Sequence, residues 1–207
     1  MTNLIKPHIV LPKVSPFNFG GGSWPLETHK TENWAWYKGA FEPYELDSII
    51  ELGIRSGLDK GSTMTGGDDA VRKSFVSFLF PNEYTGWIFQ RLAEVINHVN
   101  DQFFKFDLTG LEQGIQFTSY TAPGEHYTWH IDKGTGNRKL SLSLQLSDPK
   151  DYKGGNLELL FGGKPVKAER ERGMMTFFPS YALHRVTPVT KGTRYSLVCW
   201  ISGPPFK

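Results

Sequence analysis

The chain has 207 residues, of which 39% are hydrophobic and 21% charged, and this length fits one domain with a core of its own. Its formal net charge of +2 at pH 7 is too small to favour nucleic acid or an anionic membrane as a partner. The single cysteine, Cys199, excludes an intramolecular disulfide and a cysteine-based zinc site, and its apolar neighbours predict a buried, unreactive thiol.

The N-terminal sequence lacks the apolar core of a signal peptide. No run approaches the roughly 18 consecutive apolar residues of a membrane span. Together with the single cysteine, these features predict a cytoplasmic protein that contacts neither a membrane nor nucleic acid.

The first part of the chain predicts an arm followed by helices. Residues 1–33 contain several prolines and a triple glycine, which predict an extended N-terminal arm. Residues 34–207 then form one domain, whose lead-in, 34–110, carries helical periodicity from Pro43 to Ser56 and from about 83 to 104. A glycine-rich loop at 61–70, followed by a strand at 72–80, is a candidate lid over a substrate.

From residue 111 to 203 the pattern changes to short strands separated by turn signals. Strands are predicted near 113–120, 125–132, 138–147, 156–161, 164–170, 174–178, 183–189 and 193–201. This succession predicts an α+β, mainly β fold, a sandwich or jelly roll with the N-terminal helices packed on one face. In residues 140–146, LSLSLQL, leucines alternate with polar residues, so the leucine face meets the helices and the polar face lines the interior.

Two histidines and an aspartate form a candidate metal site. His130 and Asp132 are two residues apart, which on a strand places both side chains on the same face. One such pair also arises by chance, but His184 adds a third ligand at the start of another predicted strand. Two imidazoles and one carboxylate are the facial triad that suits non-haem iron(II), with three positions left open. The remaining histidines are weaker candidates: His98 lies on a predicted helix, His8 and His29 lie in irregular segments, and Pro123-Gly124 argues against a helix that would align His126 with His130.

Arg194 and Ser196 share a face of the last predicted strand, ten and twelve residues after His184. The open iron positions can take a bidentate 2-oxo acid and O2, and the second carboxylate of a 2-oxo diacid then needs a cation. An arginine binds a carboxylate through two parallel hydrogen bonds, and a serine hydroxyl can add a third. The five residues together are far more specific than any pair of them.

Three stretches of this sequence resemble prolyl-hydroxylase-like 2-oxoglutarate/iron(II) dioxygenases. They are residues 120–132 (YTAPGEHYTWHID), the turn at 154–157 (GGNL), and residues 173–201 with their Phe-Pro, His-Arg-Val and Arg-Tyr-Ser segments. The lead-in, with residues 34–41 and 71–74, is similar to the same family, so that the resemblance covers residues 34–201.

The resemblance implies a double-stranded β-helix, the cupin-like form of the jelly roll. It also implies that His130, Asp132 and His184 bind iron and that Arg194 binds the distal carboxylate of 2-oxoglutarate. In addition, Tyr120 matches a tyrosine that hydrogen-bonds this co-substrate. Two further positions stand out: Tyr127 matches an aromatic at the edge of the site, or is a core tyrosine, and Gln145 stands where some relatives carry another co-substrate tyrosine.

The activity implied by the resemblance is hydroxylation of an unactivated C–H bond with release of succinate and CO2. Its cofactors are Fe(II), 2-oxoglutarate and O2, with ascorbate as a further candidate. A prolyl residue of a peptide or protein is the favoured substrate, and a free amino acid or small metabolite is the alternative. Related nucleic-acid demethylases carry a second arginine where this chain has Trp200, which argues against a nucleic-acid substrate.

Two alternatives from other classes share the predicted barrel. One is a non-catalytic module that binds a sugar, a peptide or another protein, and the other is a cupin-like metal isomerase. Neither of them needs the three ligands together with Arg194 and Ser196.

Overall fold

Two helices precede the main strands in the computed structural model, which describes residues 31–63, 68–111, 113–132 and 136–205. Helix α1 spans Pro43–Arg55; it starts with proline, and the Glu45 carboxylate accepts the backbone N–H of Glu42 at 2.8 Å. Helix α2 spans Gly86–Val99 and continues as a π-helical turn, Asn100–Phe104. None of the described helices is both long and apolar enough to cross a membrane.

Short strands make up most of the remaining described chain. The first eight are β1 (Ala35–Tyr37), β2 (Asp59–Lys60), β3 (Arg72–Lys73), β4 (Phe75–Leu79), β5 (Gly110–Leu111), β6 (Ile115–Thr121), β7 (His126–His130) and β8 (Arg138–Gln145). The others are β9 (Lys153–Gly154), β10 (Leu157–Leu160), β11 (Val166–Lys167), β12 (Met175–Pro179), β13 (Leu183–Val186), β14 (Val189–Lys191) and β15 (Thr193–Ser202).

The strands form two main antiparallel sheets. The larger has the order β1-β12-β8-β15-β6-β4-β2, with β5 paired to β15, and the smaller has the order β11-β10-β13-β7-β3. Strands β9 and β14 form a separate pair. The non-sequential strand order and the mainly β content agree with the predicted double-stranded β-helix, with a cavity between the two sheets.

The main core lies between the helices and the outer face of the larger sheet. The alternation in β8 is confirmed, because Leu140, Leu142, Leu144 and Leu146 are fully buried there. They share this core with α1 and α2 residues such as Ile49, Ile88 and Leu92. On the other side of β8, Ser143 lines the cavity between the sheets, and by strand alternation Ser141 and Gln145 share its face.

The predicted strand at 72–80 is in fact two strands in different sheets. Strand β3 pairs with β7 of the smaller sheet, and β4 pairs with β6 of the larger one. The chain crosses between the sheets at Ser74, whose carbonyl accepts the Gly61 N–H at 2.8 Å. No glycine or proline interrupts residues 71–79, so the sequence carries no turn signal at the crossing.

Other element boundaries also differ from the prediction. The second helix starts at Gly86 rather than about 83, because the side chain of Asn82 accepts the N–H groups of Tyr84 and Thr85 and holds a turn. The strand predicted at 164–170 is only β11, and strand β1 was not predicted in the lead-in. Of the predicted arm, residues 1–30 lie outside the described residues, so the arm remains a prediction.

Candidate metal centre

The structure brings His130, Asp132 and His184 together between the two sheets. His130 is the last residue of β7, and its cross-strand partner in β13 is His184. The distance from His130 Nε2 to Asp132 Oδ1 is 3.6 Å, and His184 Nε2 lies 3.4 Å from Asp132 Oδ2. One donor atom from each of the three residues lies within 4.8 Å of the other two.

Asp132 reaches this cluster from a position that the sequence did not predict. We predicted it within a strand at 125–132, but β7 ends at His130 and Asp132 follows two residues later. Its backbone N–H donates to Ser180 O at 2.9 Å, and this bond fixes the chain after the strand end. The carboxylate therefore faces the histidines because of a tertiary contact and not because of strand alternation.

Both imidazoles present the same nitrogen to the cluster. Nδ1 of His130 lies 2.7 Å from Thr128 O, and Nδ1 of His184 lies 2.9 Å from Ala182 O. Because a carbonyl only accepts, each Nδ1 carries the proton and each Nε2 keeps a lone pair for a metal. The backbone thus selects the metal-binding tautomer of both histidines.

Burial keeps His130 neutral as well. Desolvation, followed by the neighbouring charge of His184, lowers the pKa of His130 from 6.5 to about 4. A neutral imidazole is the form that binds metal, so the site is ready for a cation at neutral pH.

The carboxylate of Asp132 is held in its charged form. Burial alone would raise the pKa of Asp132, but electrostatic attraction to the adjacent imidazoles of His184 and His130 and a hydrogen bond from Ser141 lower it below the usual value. Ser141 Oγ donates to Asp132 Oδ2 at 2.8 Å and lies 3.0 Å from Ser180 Oγ. Such outer hydrogen bonds orient metal ligands.

The donor set fits a divalent iron. Two donors bound at right angles, each roughly 2.1 Å from one ion, are about 3 Å apart, and Asp132 lies 3.4 and 3.6 Å from the two imidazole nitrogens. Two imidazole nitrogens and one carboxylate oxygen leave further positions open on an octahedral ion. The donor chemistry therefore suits Fe(II) with additional ligands.

The triad lies in a cavity of about 310 Å³ between the sheets. The cavity is also lined by Tyr120, Arg194 and Ser196, so the structure places all six predicted site residues around one space. Tyr120 and Arg194 are cross-strand partners in β6 and β15, and the Arg194 side chain shares the inner face of β15 with Ser196.

Arg194 is a buried cation with neutral partners. Its residue is 3% exposed, Nε donates to Gln145 Oε1 at 3.1 Å, and Nη1 donates to Ser196 Oγ at 3.4 Å. Its guanidinium carbon lies 5.7 Å from the centre of the Tyr120 ring. Among the residues that the structure describes, no carboxylate pairs with it. A buried charge without a counter-charge is costly, which favours an anionic ligand at this point.

Two tyrosines complete the inner wall. Burial raises the pKa of Tyr120, with partial offset from the charges of Arg72 and Arg194, so its hydroxyl stays protonated as a hydrogen-bond donor. The Tyr127 ring stacks on the His130 ring, with centroids 3.4 Å apart and planes 13° from parallel. Tyr127 therefore lies at the site, and of the two roles considered for it, an aromatic at the edge of the site fits better than a core tyrosine.

Sequence reasoning did not assign a site role to Arg72. This arginine on β3 is 7% exposed and lines the cavity, with its guanidinium carbon 4.8 Å from the centre of the Tyr127 ring. It donates to Ser74 Oγ at 2.9 Å and to Ser62 O at 3.1 Å. The segment 71–74 contributed to the family resemblance, but only the pairing of β3 with β7 shows that Arg72 faces the site.

Two other features of the cavity also required the structure. The Arg138 guanidinium carbon lies 4.1 Å from the centre of the Trp200 ring, and both residues line the cavity. Ser62 and Thr63, from the predicted lid at 61–70, line it as well, whereas residues 64–67 lie outside the described residues. The lid therefore remains a prediction.

The other described histidines lie away from the triad. His126 contacts the carbonyls of Gly124 and Ala70, and His98 packs edge-on against Tyr37. His8 and His29 are outside the described residues.

Known proteins resemble this chain in sequence and in fold. Residues 115–202 match the model of the 2OG-Fe(II) oxygenase superfamily, which confirms the resemblance predicted from the motifs. A PKHD-type hydroxylase of Synechococcus sp. (strain CC9605) is 42% identical over 87 residues, which are 40% of this chain and 39% of that protein. A PKHD-type hydroxylase of Prochlorococcus marinus (strain NATL2A) is 37% identical over 112 residues, 52% of this chain and 50% of that protein. The chain thus spans half or less of the length of these curated relatives.

Solved structures extend the likeness in fold to most of the chain. A Pseudomonas putida prolyl-4-hydroxylase matches with a TM-score of 0.68 and 22% identity, covering 83% of this chain and 94% of that one. A prolyl hydroxylase from Trichoplax adhaerens was solved with a peptide fragment of the hypoxia inducible factor oxygen degradation domain. It matches with a TM-score of 0.71 and 19% identity, covering 82% of this chain and 83% of that one. At these identities the likeness concerns the fold, and it confirms the double-stranded β-helix.

Proposed function

We propose that this chain, whose residues 115–202 match the 2OG-Fe(II) oxygenase superfamily, is a 2-oxoglutarate- and Fe(II)-dependent dioxygenase that hydroxylates an unactivated C–H bond. One observation carries the proposal: a single cavity is lined by the His130, Asp132 and His184 cluster and by the buried Arg194 without a carboxylate partner among the described residues. A metal isomerase would leave that arginine without an anion.

The proposed ligands are His130, Asp132 and His184, with Fe(II) as their metal. Iron bound there would supply O2 activation coupled to conversion of 2-oxoglutarate into succinate and CO2. The protein holds the three donors with the correct protonation through Thr128 O, Ala182 O and Ser141 Oγ. These contacts are preorganised, so little rearrangement accompanies metal binding.

The proposed co-substrate site is the wall that carries Arg194, Ser196 and Tyr120. The Nη atoms of Arg194 bind the distal carboxylate bidentately, and Ser196 Oγ adds a hydrogen bond. The protonated hydroxyl of Tyr120 donates to an oxygen at the metal-proximal end. Burial of this wall excludes water, which strengthens each of these interactions.

The proposed substrate is a peptide or protein, with a prolyl residue as the hydroxylated group. Relatives named PKHD-type hydroxylases and the likeness in fold to prolyl hydroxylases, one of them solved with a peptide fragment, support this class. Phe78 and Ile131 line the cavity while remaining 40% and 49% exposed, which offers apolar surface to an entering chain. A free amino acid or small metabolite is the alternative.

Anaerobic titration of the purified protein with Fe(II) and 2-oxoglutarate tests the metal and co-substrate together. We expect the weak visible charge-transfer band of the chelate, and its loss in His184→Ala because one ligand is missing. His126→Ala is the matched control, since its ring contacts Gly124 and Ala70 rather than the triad. Absence of the band, with neither ligand bound, would instead indicate a non-catalytic binding module.

A second experiment addresses the substrate. The Fe(II)-loaded protein is incubated with 2-oxoglutarate, O2 and a panel of proline-containing peptides, with and without ascorbate. We expect a product heavier by one oxygen atom and an equal amount of succinate. Hydroxylation of free amino acids in place of every peptide would select the alternative substrate class.

A further inference from the structure

Gln145 is a buried residue at the end of β8, next to the Arg194 side chain. Its residue is 5% exposed, and its Oε1 accepts a hydrogen bond from Arg194 Nε at 3.1 Å. Because an arginine only donates, the amide oxygen must face Arg194 and the amide NH2 group must face away. The orientation of Gln145 is therefore fixed by its chemistry.

The amide NH2 group of Gln145 meets a second buried residue. Gln145 Nε2 donates to the hydroxyl oxygen of Tyr152 at 2.9 Å, and Tyr152 is 2% exposed. Arg170 Nε donates to the same hydroxyl at 3.3 Å, its Nη2 donates to Tyr152 O at 3.1 Å, and its guanidinium carbon lies 4.3 Å from the ring centre. Arg170 thus holds the Tyr152 ring in place, and the Tyr152 hydroxyl oxygen is a fixed hydrogen-bond acceptor for Gln145 Nε2.

Gly155, in the turn formed by a pair of glycines, lies beside both Arg194 and Tyr152. A Cβ placed on Gly155, whose φ is +60°, would lie 2.9 Å from Val189 Cγ2 and 3.1 Å from Arg194 Cδ, and would be in ordinary contact with Tyr152 Cε2 at 3.4 Å. The absent side chain therefore leaves room for the Arg194 stem and for Val189 beside this backbone. Tyr152, Gln145 and Arg194 also border one small cavity of about 10 Å³.

We propose that Tyr152 is a positioning residue for the co-substrate, acting on Arg194 through the Gln145 amide. Tyr152 holds Gln145, Gln145 holds Arg194 Nε, and the Nη atoms of Arg194 are thereby presented to the distal carboxylate. This inference rests on the proposed function, because it concerns 2-oxoglutarate binding.

The hydrogen bonds from Tyr152 through Gln145 to Arg194 form a relay. Equilibrium binding of 2-oxoglutarate to the anaerobic Fe(II) protein tests it. The variants are Tyr152→Phe, Gln145→Met and their double mutant. Tyr152→Phe keeps the ring, and methionine is close to glutamine in length, so both preserve packing. Tyr195→Phe is the control, because Tyr195 neighbours Arg194 but stacks on Phe117 on the opposite face of the sheet.

We expect each single variant to raise the dissociation constant of 2-oxoglutarate about fivefold, the effect of one lost hydrogen bond. The double mutant should be no weaker than either single variant, because both break one relay. Fe(II) affinity and the Tyr195→Phe control should stay at the wild-type value. In turnover, the KM for 2-oxoglutarate should rise while kcat is kept.

Two results would overturn the relay. One is an unchanged dissociation constant in Tyr152→Phe, including the case in which only its melting temperature falls, as a purely structural role would give. The other is a double mutant weakened by the product of the two single effects, about 25-fold, which indicates independent contributions. If the wild-type protein fails to bind 2-oxoglutarate, the proposed function fails with it, so the two failures are distinguishable.

Discussion

Ser141 Oγ donates a hydrogen bond to Asp132 Oδ2 across 2.8 Å, from the inner face of β8 to the chain two residues beyond the end of β7. The bond joins the two sheets at the candidate metal centre and orients the single carboxylate of the triad. Outer hydrogen bonds of this kind determine how well a ligand is aimed at its metal.

Ser141→Ala should therefore weaken metal binding while the three ligands remain. We expect the dissociation constant for Fe(II) to rise roughly 10- to 100-fold, the usual effect of losing an outer-sphere partner. The measurement is an anaerobic Fe(II) titration without co-substrate. Ser143→Ala is the control, being the next inward serine of β8, and equal metal affinity in Ser141→Ala and wild type would refute this role.

Arg194→Met should weaken 2-oxoglutarate binding and leave Fe(II) binding unchanged. A charge-assisted hydrogen bond contributes about 1.5–3 kcal/mol, so the dissociation constant should rise roughly 10- to 100-fold. Isothermal titration measures it, with melting temperature recorded beside it. Arg185→Met is the control because Arg185 already pairs with Glu158 at 2.8 Å. Unchanged affinity in Arg194→Met would assign the carboxylate site to another cation.

The metal-free protein should lose stability as pH falls, in part through His130. Burial lowers its folded pKa from 6.5 to about 4, so the unfolded state binds the proton more readily. The contribution of neutral His130 to the free energy of unfolding is complete above pH 6.5 and is lost as pH falls towards about 4. The whole loss is about 3 kcal/mol at most. Urea unfolding at several pH values measures it. Between about pH 4 and 6.5, His130→Asn should reduce the slope of the free energy of unfolding against pH. Parallel curves for the variant and the wild type would show that His130 is not the group responsible.

Cys199 should be unreactive in the folded protein. It is 1% exposed, and burial raises the pKa of its thiol far above the usual range, so almost no thiolate forms. A chromogenic disulfide reagent should modify about one thiol per chain after denaturation and none beforehand. Rapid reaction in the folded protein would show that the β15 strand opens.

Truncating a side chain should cost far more stability on one face of β8 than on the other. Leu142 is fully buried in the core beneath the helices, and Leu142→Ala should lower the free energy of unfolding by about 2–5 kcal/mol. Ser143 faces the cavity, and Ser143→Ala should change it by well under 1 kcal/mol. Equilibrium unfolding of both variants tests the assignment, and a larger loss in Ser143→Ala would reverse the two faces.

Local pattern was sufficient for much of the fold. The alternation of Leu140 to Leu146 predicted which face of β8 is buried, because a strand places successive side chains on opposite sides. The turn signals also predicted most of the strands between 113 and 202. The residue types of the triad, with Arg194 and Ser196, indicated the chemistry because each has a coordination or charge requirement that few other side chains meet.

Only the tertiary structure decided how these residues meet. The pairing of β13 with β7 places His184 beside His130, and the Ser180 contact turns Asp132 towards them after its strand has ended. The crossing at Ser74 brings Arg72 to the cavity. Such contacts join distant parts of the chain, and periodicity, which concerns near neighbours, carries no information about them.

The surroundings of Arg194 also separate what the sequence predicted from what only the tertiary structure decided. The sequence by itself indicated that Arg194 and Ser196 share one face of the last strand, and that Gln145 lies on the polar face of its predicted strand. The structure decided that Tyr152, from beyond the next turn, reaches the Gln145 amide and that Gly155 leaves room for the Arg194 stem. A hydrogen bond between buried side chains depends on distance and direction in space, which the order of residues alone does not specify.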